Sequence, residues 1–167
     1  MLIGGLALPA YGQIRATQDV DMAIAANFKA SSKLQAELQR AGFHLTAPPH
    51  PDAPVFVVTD LKRMVEIEIW TKPDGVTFDK ALLDRRWKVN PFDDDSIFQV
   101  FVIGPEDFIV NKLARSDRRA QDEVDAASVL AKQDGKIDQK YLWKRAEDAG
   151  VRDILEEIVS RVEAVKS

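Results

Sequence analysis

The spacing of apolar residues changes along the chain, and each change marks an element. Asp19 to Ile24 (DVDMAI) alternates polar and apolar, the two-residue period of a strand. Val55 to Thr59 (VFVVT) and Met64 to Trp70 (MVEIEIW) read as two more strands, and the DLKR between them makes a hairpin. Phe98 to Ile103 (FQVFVI) reads as another strand, and Phe43 to Thr46 as a short one. Ser31 to Ala41 (SSKLQAELQRA) has helical spacing, with Ser31 or Ser32 as its cap and Gly42 as its stop. Gly4 to Tyr11 is compact and apolar. It reads as a short helix entered through Gly4-Gly5 and made irregular by Pro9, with a loop from Gly12 to Thr17. Pro48 to Pro54 (PPHPDAP) is a loop, Asp79 to Arg86 a helix, and Asp93-Asp94-Asp95 a polar turn. Gly104-Pro105-Glu106-Asp107 opens a helix through Phe108, Ile109 and Leu113, with proline and acids where missing donors and the helix dipole favour them. Helices over roughly Asp122 to Lys132, Asp138 to Ala149 and Val151 to Val165 follow.

This order predicts an α+β fold: a small mixed β-sheet flanked by helices, with a helical C-terminal part. The expected division is an α+β unit over 1–104 and a helical region over 105–167 packed on it. At 46% hydrophobic residues, a chain of 167 can build a core. The net charge of −4 argues against nonspecific coating of nucleic acid, yet leaves room for a small acidic site beside a local basic patch. The absence of cysteine excludes disulfides and thiolate metal sites and fits a reducing compartment. Leu2 to Ala10 is too short and too broken by glycine and proline for a signal peptide or membrane span, so a cytoplasmic location without membrane contact is expected.

The candidate chemistry lies in carboxylates. Asp19 and Asp21 share one face of a strand, about 6–7 Å apart along the chain. Like charges on a core-facing strand face are costly unless a cation lies between them, and Mg²⁺ suits such oxygens. The alternative is an edge strand with its polar face in water. Glu66 and Glu68 also share a strand face. If that strand lies beside Asp19 to Ile24, one of them can complete a three-carboxylate site for in-line phosphoryl displacement. Gly4-Gly5 ahead of a helix allows close approach of backbone to phosphate, or is an ordinary turn. His44 and His50, the only histidines, make no zinc set, and neither Gly-x-Ser-x-Gly nor a Walker-type Gly-Lys-Ser/Thr is present. Trp70, Trp87 and Trp143 read as core or interface residues, and Lys80, Arg85, Arg86 and Lys88 as a solvated face.

Taken together, Gly4-Gly5, a small-residue helix, Gly12, and Arg15-x-Thr17-x-Asp19-x-Asp21 resemble the signature of the DNA polymerase β-like nucleotidyltransferase superfamily. The resemblance is to its minimal members, including the abortive-infection-type toxin nucleotidyltransferases. A second block, IGPEDFIVNKLARSDRRAQDEVDAASVL, resembles the helical segment these proteins carry after the catalytic sheet, and the likeness spans roughly Leu2 to Leu130. It implies a transferase domain over 1–104 that moves a nucleoside monophosphate from an NTP to a hydroxyl of RNA (tRNA) or protein. Asp19, Asp21 and Glu68 would be catalytic and hold Mg²⁺ or Mn²⁺, with Glu66 as the fallback third acid and Glu68 a candidate general base. Gly4, Gly5, Arg15, Thr17 and Lys112 would bind the nucleotide, while Asp122 and Asp125 pair with Lys112 or Arg115. The implied partners are the NTP, the acceptor, and a cognate toxin or antitoxin. The alternative is a catalytically degenerate binding module, as antitoxin partner or nucleotide sensor. Two departures stand out. The third acid is Glu where Asp is commoner. The chain also starts almost on its glycine pair, so the helix and strand residues that usually precede it are expected to be missing through a shortened start.

Overall fold

The computed structural model describes residues 1–91 and 98–166; the Asp93-Asp94-Asp95 turn lies outside them. Four strands, β1 (Val20–Ala23), β2 (His44–Ala47), β3 (Val55–Asp60) and β4 (Val65–Trp70), form one sheet in the order β1-β4-β3-β2. β3 and β4 are the expected antiparallel hairpin, and β1 runs parallel to β4. Strand alternation sorts the side chains onto two faces. Phe56 and Val58 of β3 and Ile67 and Ile69 of β4 pack with Leu34 and Leu38 of helix α1 (Phe28–Arg40). Asp21, Ala23, Glu68 and Trp70 alternate with those positions, and Ala23 and Trp70 join the larger core on the opposite side.

Helix α1 begins three residues before the expected start. Asn27 accepts from the Ala30 amide at 2.9 Å and is the cap, so Ser31 and Ser32 lie inside the helix and Ser31 is buried. Gly42, at φ 95°, follows its end in the left-handed region that glycine tolerates.

The chain start corrects a second expectation. Residues 1–3 run between β1 and a two-stranded ribbon of β5 (Trp87–Val89) and β6 (Val100–Val102). Leu2 donates to Phe101 O (2.7 Å) and accepts from Ile103 N (3.0 Å), while Ile3 donates to Asp21 O (3.0 Å). Leu2, just ahead of Gly4-Gly5, therefore bridges the two sheets in strand-like pairing with Met22 and Val102. The sequence did not predict β5, a three-residue WKV segment too short to show a period. A 3₁₀ helix, Gly5–Tyr11, then leads into the loop before β1.

Five helices follow the hairpin: α2 (Lys80–Arg85), α3 (Pro105–Ala114), α4 (Ala120–Lys132), α5 (Gln139–Asp148) and α6 (Arg152–Lys166). α3 is the axis, buried from Pro105 through Leu113. Phe108, Ile109 and Leu113 meet Leu8 and Tyr11 of the 3₁₀ helix, Val129 of α4, Leu142 of α5 and Leu155 of α6 in one core. Tyr11 packs edge-on to Trp87 at 5.5 Å and against Phe108 at 5.2 Å, and its hydroxyl donates to Ile103 O. All three tryptophans pack against this core.

The basic set is not one solvated face. Arg85 pairs with Asp138 and Glu106 and stacks on Tyr141, clamping α2 to α5; Arg86 lies 3.9 Å over the Phe101 ring. Among the described residues, no helix is long and apolar enough to cross a membrane. Phe108, fully buried at the centre of the core, should cost about 3–5 kcal/mol when changed to alanine, read as a lower urea midpoint with little change in slope.

Candidate functional site

A cleft of about 560 Å³ opens between the acidic side of the sheet and the helices α3 and α4. Asp21 on β1 stands directly opposite Glu68 on β4, a neighbourhood that the parallel pairing creates. The Trp70 indole donates to Glu68 Oε2 at 3.0 Å and orients it. Burial and the adjacent Asp21 charge push the Glu68 carboxyl above the ordinary glutamate range, against the opposing pull of Trp70 and Arg115. Asp19 lies just ahead of β1 and lines the same cleft. Glu66 stands opposite Thr59 and does not line it.

The glycine pair has a steric role. Gly4 has φ 29°, and a Cβ there would sit 1.8 Å from Asp21 Oδ2, so Gly4 lies against the Asp21 carboxylate and outside the cleft lining. A Cβ on Gly5 would sit 2.8 Å from Thr17 Oγ1 and 3.1 Å from Arg15 Nη2. Gly5 is thus the floor on which the 15–17 loop rests.

The facing wall is built from ion pairs. Lys112 Nζ lies 2.9 Å from Asp122 Oδ1 and 3.3 Å from Asp125 Oδ2, all three side chains being buried. Arg15 grips both Asp125 oxygens through Nε and Nη2, at 3.0 and 3.1 Å, and Gln121 adds a bond to Asp125 of 2.9 Å. Asp122 also accepts from the Arg119 amide at the start of α4 (3.0 Å). Burial opposes ionisation of Asp122, but Lys112, that amide and nearby Arg115 outweigh it and hold the carboxyl below its usual range.

The structure therefore brings Asp19, Asp21, Glu68, Gly5, Arg15, Thr17 and Lys112 to one cleft, sets Gly4 beside Asp21, and leaves Glu66 outside. Sequence reasoning missed Arg115 as a site residue, and missed Asp117, Arg119 and Gln121 altogether, all of which line the cleft. The signal was the RSDRR run between two helices, a cationic turn next to Lys112 and Asp122. Arg115 forks onto Asp117 at 3.0 and 3.2 Å, and Asp117, then Asp122 and Asp21, outweigh burial and raise its hold on its proton.

Among the described residues, no group of three or more His, Asp or Glu side chains is assembled as a metal cluster. What is assembled is the Asp21–Glu68 pair: hard oxygen donors whose mutual repulsion a divalent cation would relieve. Mg²⁺ is commonly held by one or two carboxylates with substrate phosphates, so the donor set fits such an ion. No family model and no curated protein matches the chain.

Two predictions follow from this geometry. Gly4→Ala should destabilise the fold by about 2 kcal/mol or more, through left-handed strain and collision with Asp21, measured by urea denaturation. The depressed Asp122 carboxyl gives stability that is present above the ordinary aspartate value of 3.8 and is lost as pH falls through its lower folded value. The stability difference between wild type and Asp122→Asn should therefore be constant near neutrality and shrink below pH 3.8.

Proposed function

We propose that the protein is a metal-dependent nucleotidyltransferase that moves a nucleoside monophosphate from an NTP to a hydroxyl of RNA, such as tRNA, or of a protein. The observation that supports this reading best is the convergence of Asp19, Asp21 and Glu68 with Arg15, Lys112, Arg115 and Arg119 on one cleft. Asp21 and Glu68, with Asp19, would hold Mg²⁺ or Mn²⁺, which when bound supplies charge neutralisation for the triphosphate. Arg115 and Arg119 line the cleft and would offer guanidinium donors to the phosphates, Arg115 by exchanging its contact with Asp117. Lys112 is already held by two aspartates, so a triphosphate that reaches it shares it with them. The acceptor oxygen bonds to the α-phosphorus as the bond to pyrophosphate breaks, and Glu68 would take the hydroxyl proton.

One observation favours a second reading, a transferase fold kept as a binding module: among the described residues Asp19, though it lines the cleft, is not grouped with Asp21 and Glu68 as a three-carboxylate metal set. A place in a toxin–antitoxin pair, and a cytoplasmic one, rest on the resemblance and on composition. The test incubates wild type and the Asp19→Ala/Asp21→Ala variant with Mg²⁺, each α-labelled NTP in turn, total RNA and lysate. Label should appear on RNA or protein with wild type only, while both proteins keep the same circular dichroism spectrum. A fully active variant overturns the proposal. NTP binding without label from wild type selects the binding module.

A further inference from the structure

A second cavity, of about 250 Å³, opens at the far ends of β1 and β4, beneath the start of α1 and the proline-rich loop. It shares no lining residue with the acidic cleft, and it reaches Phe56 on the α1 side of the sheet. Three independent features meet there. The first is the N-terminus of a 13-residue helix: Asn27 satisfies the Ala30 amide and Ser31 N bonds Asn27 O, but the Phe28 and Lys29 amides precede any intrahelical acceptor. The second is Ser31, which lines the cavity, is only 2% exposed, and has a buried Oγ without a hydrogen-bond partner. A buried hydroxyl of that kind is costly to leave unpaired. The third is Lys72, on the lining and in no ion pair among the described residues; His50 by contrast has Asp52 at 3.8 Å.

The remaining walls are largely apolar, with Phe28, Pro49, Pro51 and Phe56 prominent. We propose that this cavity binds a small organic carboxylate, its charge at the α1 N-terminus with Ser31 and Lys72, and its apolar body against the prolines and phenylalanines. The lining carries one lysine and no arginine, which matches a monoanion with an apolar body better than a doubly charged phosphate. The cavity is at the small end for ligand sites, which limits the apolar body to about one side chain. Such a carboxylate belongs either to a free acid or to the last residue of a peptide. This inference is independent of the transferase reading, since no residue is shared.

The test titrates the ¹⁵N-labelled full chain with N-acetyl-L-phenylalanine. The Phe28, Lys29 and Ser31 amides should shift saturably with a Kd of about 1 mM, and N-acetyl-L-phenylalaninamide should bind about tenfold more weakly or not at all. A pentapeptide ending in phenylalanine that binds more tightly than the acetylated amino acid assigns a peptide terminus; the reverse order assigns a free acid. Lys72→Ala, at an exposed position, should weaken binding about fivefold. Ser31→Ala should weaken it similarly while raising the melting temperature of the ligand-free protein, because it removes an unpaired hydroxyl. Absence of saturable shifts up to about 10 mM, or equal binding of acid and amide, overturns the proposal.

Discussion

Lys112, held between Asp122 and Asp125, is the contact on which the rest of the site depends. A buried ammonium is tolerable only when it is paired, and two carboxylates around one cation leave a negative charge over. Arg15 completes the set by forking onto Asp125, so two cations and two anions close on one another. The packing consequence is local: α3 is fixed against α4, and a loop without regular structure is tied to a helix far along the chain. That loop carries Thr17 and leads into Asp19. Its seat on Gly5 leaves no room for a side chain there.

The sheet side of the cleft is the opposite case. Asp21 and Glu68 are brought together by strand register alone, with Asp19 alongside, and none of the three is in an ion pair among the described residues. Burial, and after it the adjacent Asp21 charge, make the Glu68 carboxyl hold its proton more strongly than an ordinary glutamate. One wall is electrostatically closed and the other open. Under the proposed reading, the ligand's metal ion would meet the acidic wall and its anionic oxygens would meet Arg115 and Arg119, which line the same cleft.

Most elements were legible because their signals are local. The period of VFVVT and MVEIEIW, and the Gly-Pro-Glu-Asp start of α3, each need only a few residues of context. Misses occurred where tertiary contacts decide. Ser31 has good capping chemistry, but the polar residue that stands where the chain turns is Asn27, so Ser31 is drawn into the helix and buried. Trp87 to Val89 is a strand only because β6 lies beside it, and Leu2 extends only because β1 and β6 flank it. The site was half legible. DxD and the glycine pair are sequence patterns, but the choice of Glu68 over Glu66 depends on a register that sequence does not encode locally. Arg115 was read only as an ion-pair partner and Arg119 not at all, because nothing local shows that the exposed turn carrying them also lines a cleft.

The two cavities also lie on opposite sides of one small sheet. Alternation on β1 and β4 sends acids to one face and isoleucines to the other, so each face inherits a different problem. The acidic face carries like charges side by side, which hydration, protonation or a cation can relieve. The apolar face must be covered, and α1 covers it with Leu34 and Leu38, but the helix has to start somewhere above the strand ends. Its first amides and the displaced Ser31 hydroxyl are the polar residue of that coverage, left beside proline and phenylalanine. Both cavities thus arise where the alternation that builds the core leaves polar groups that the core itself cannot satisfy.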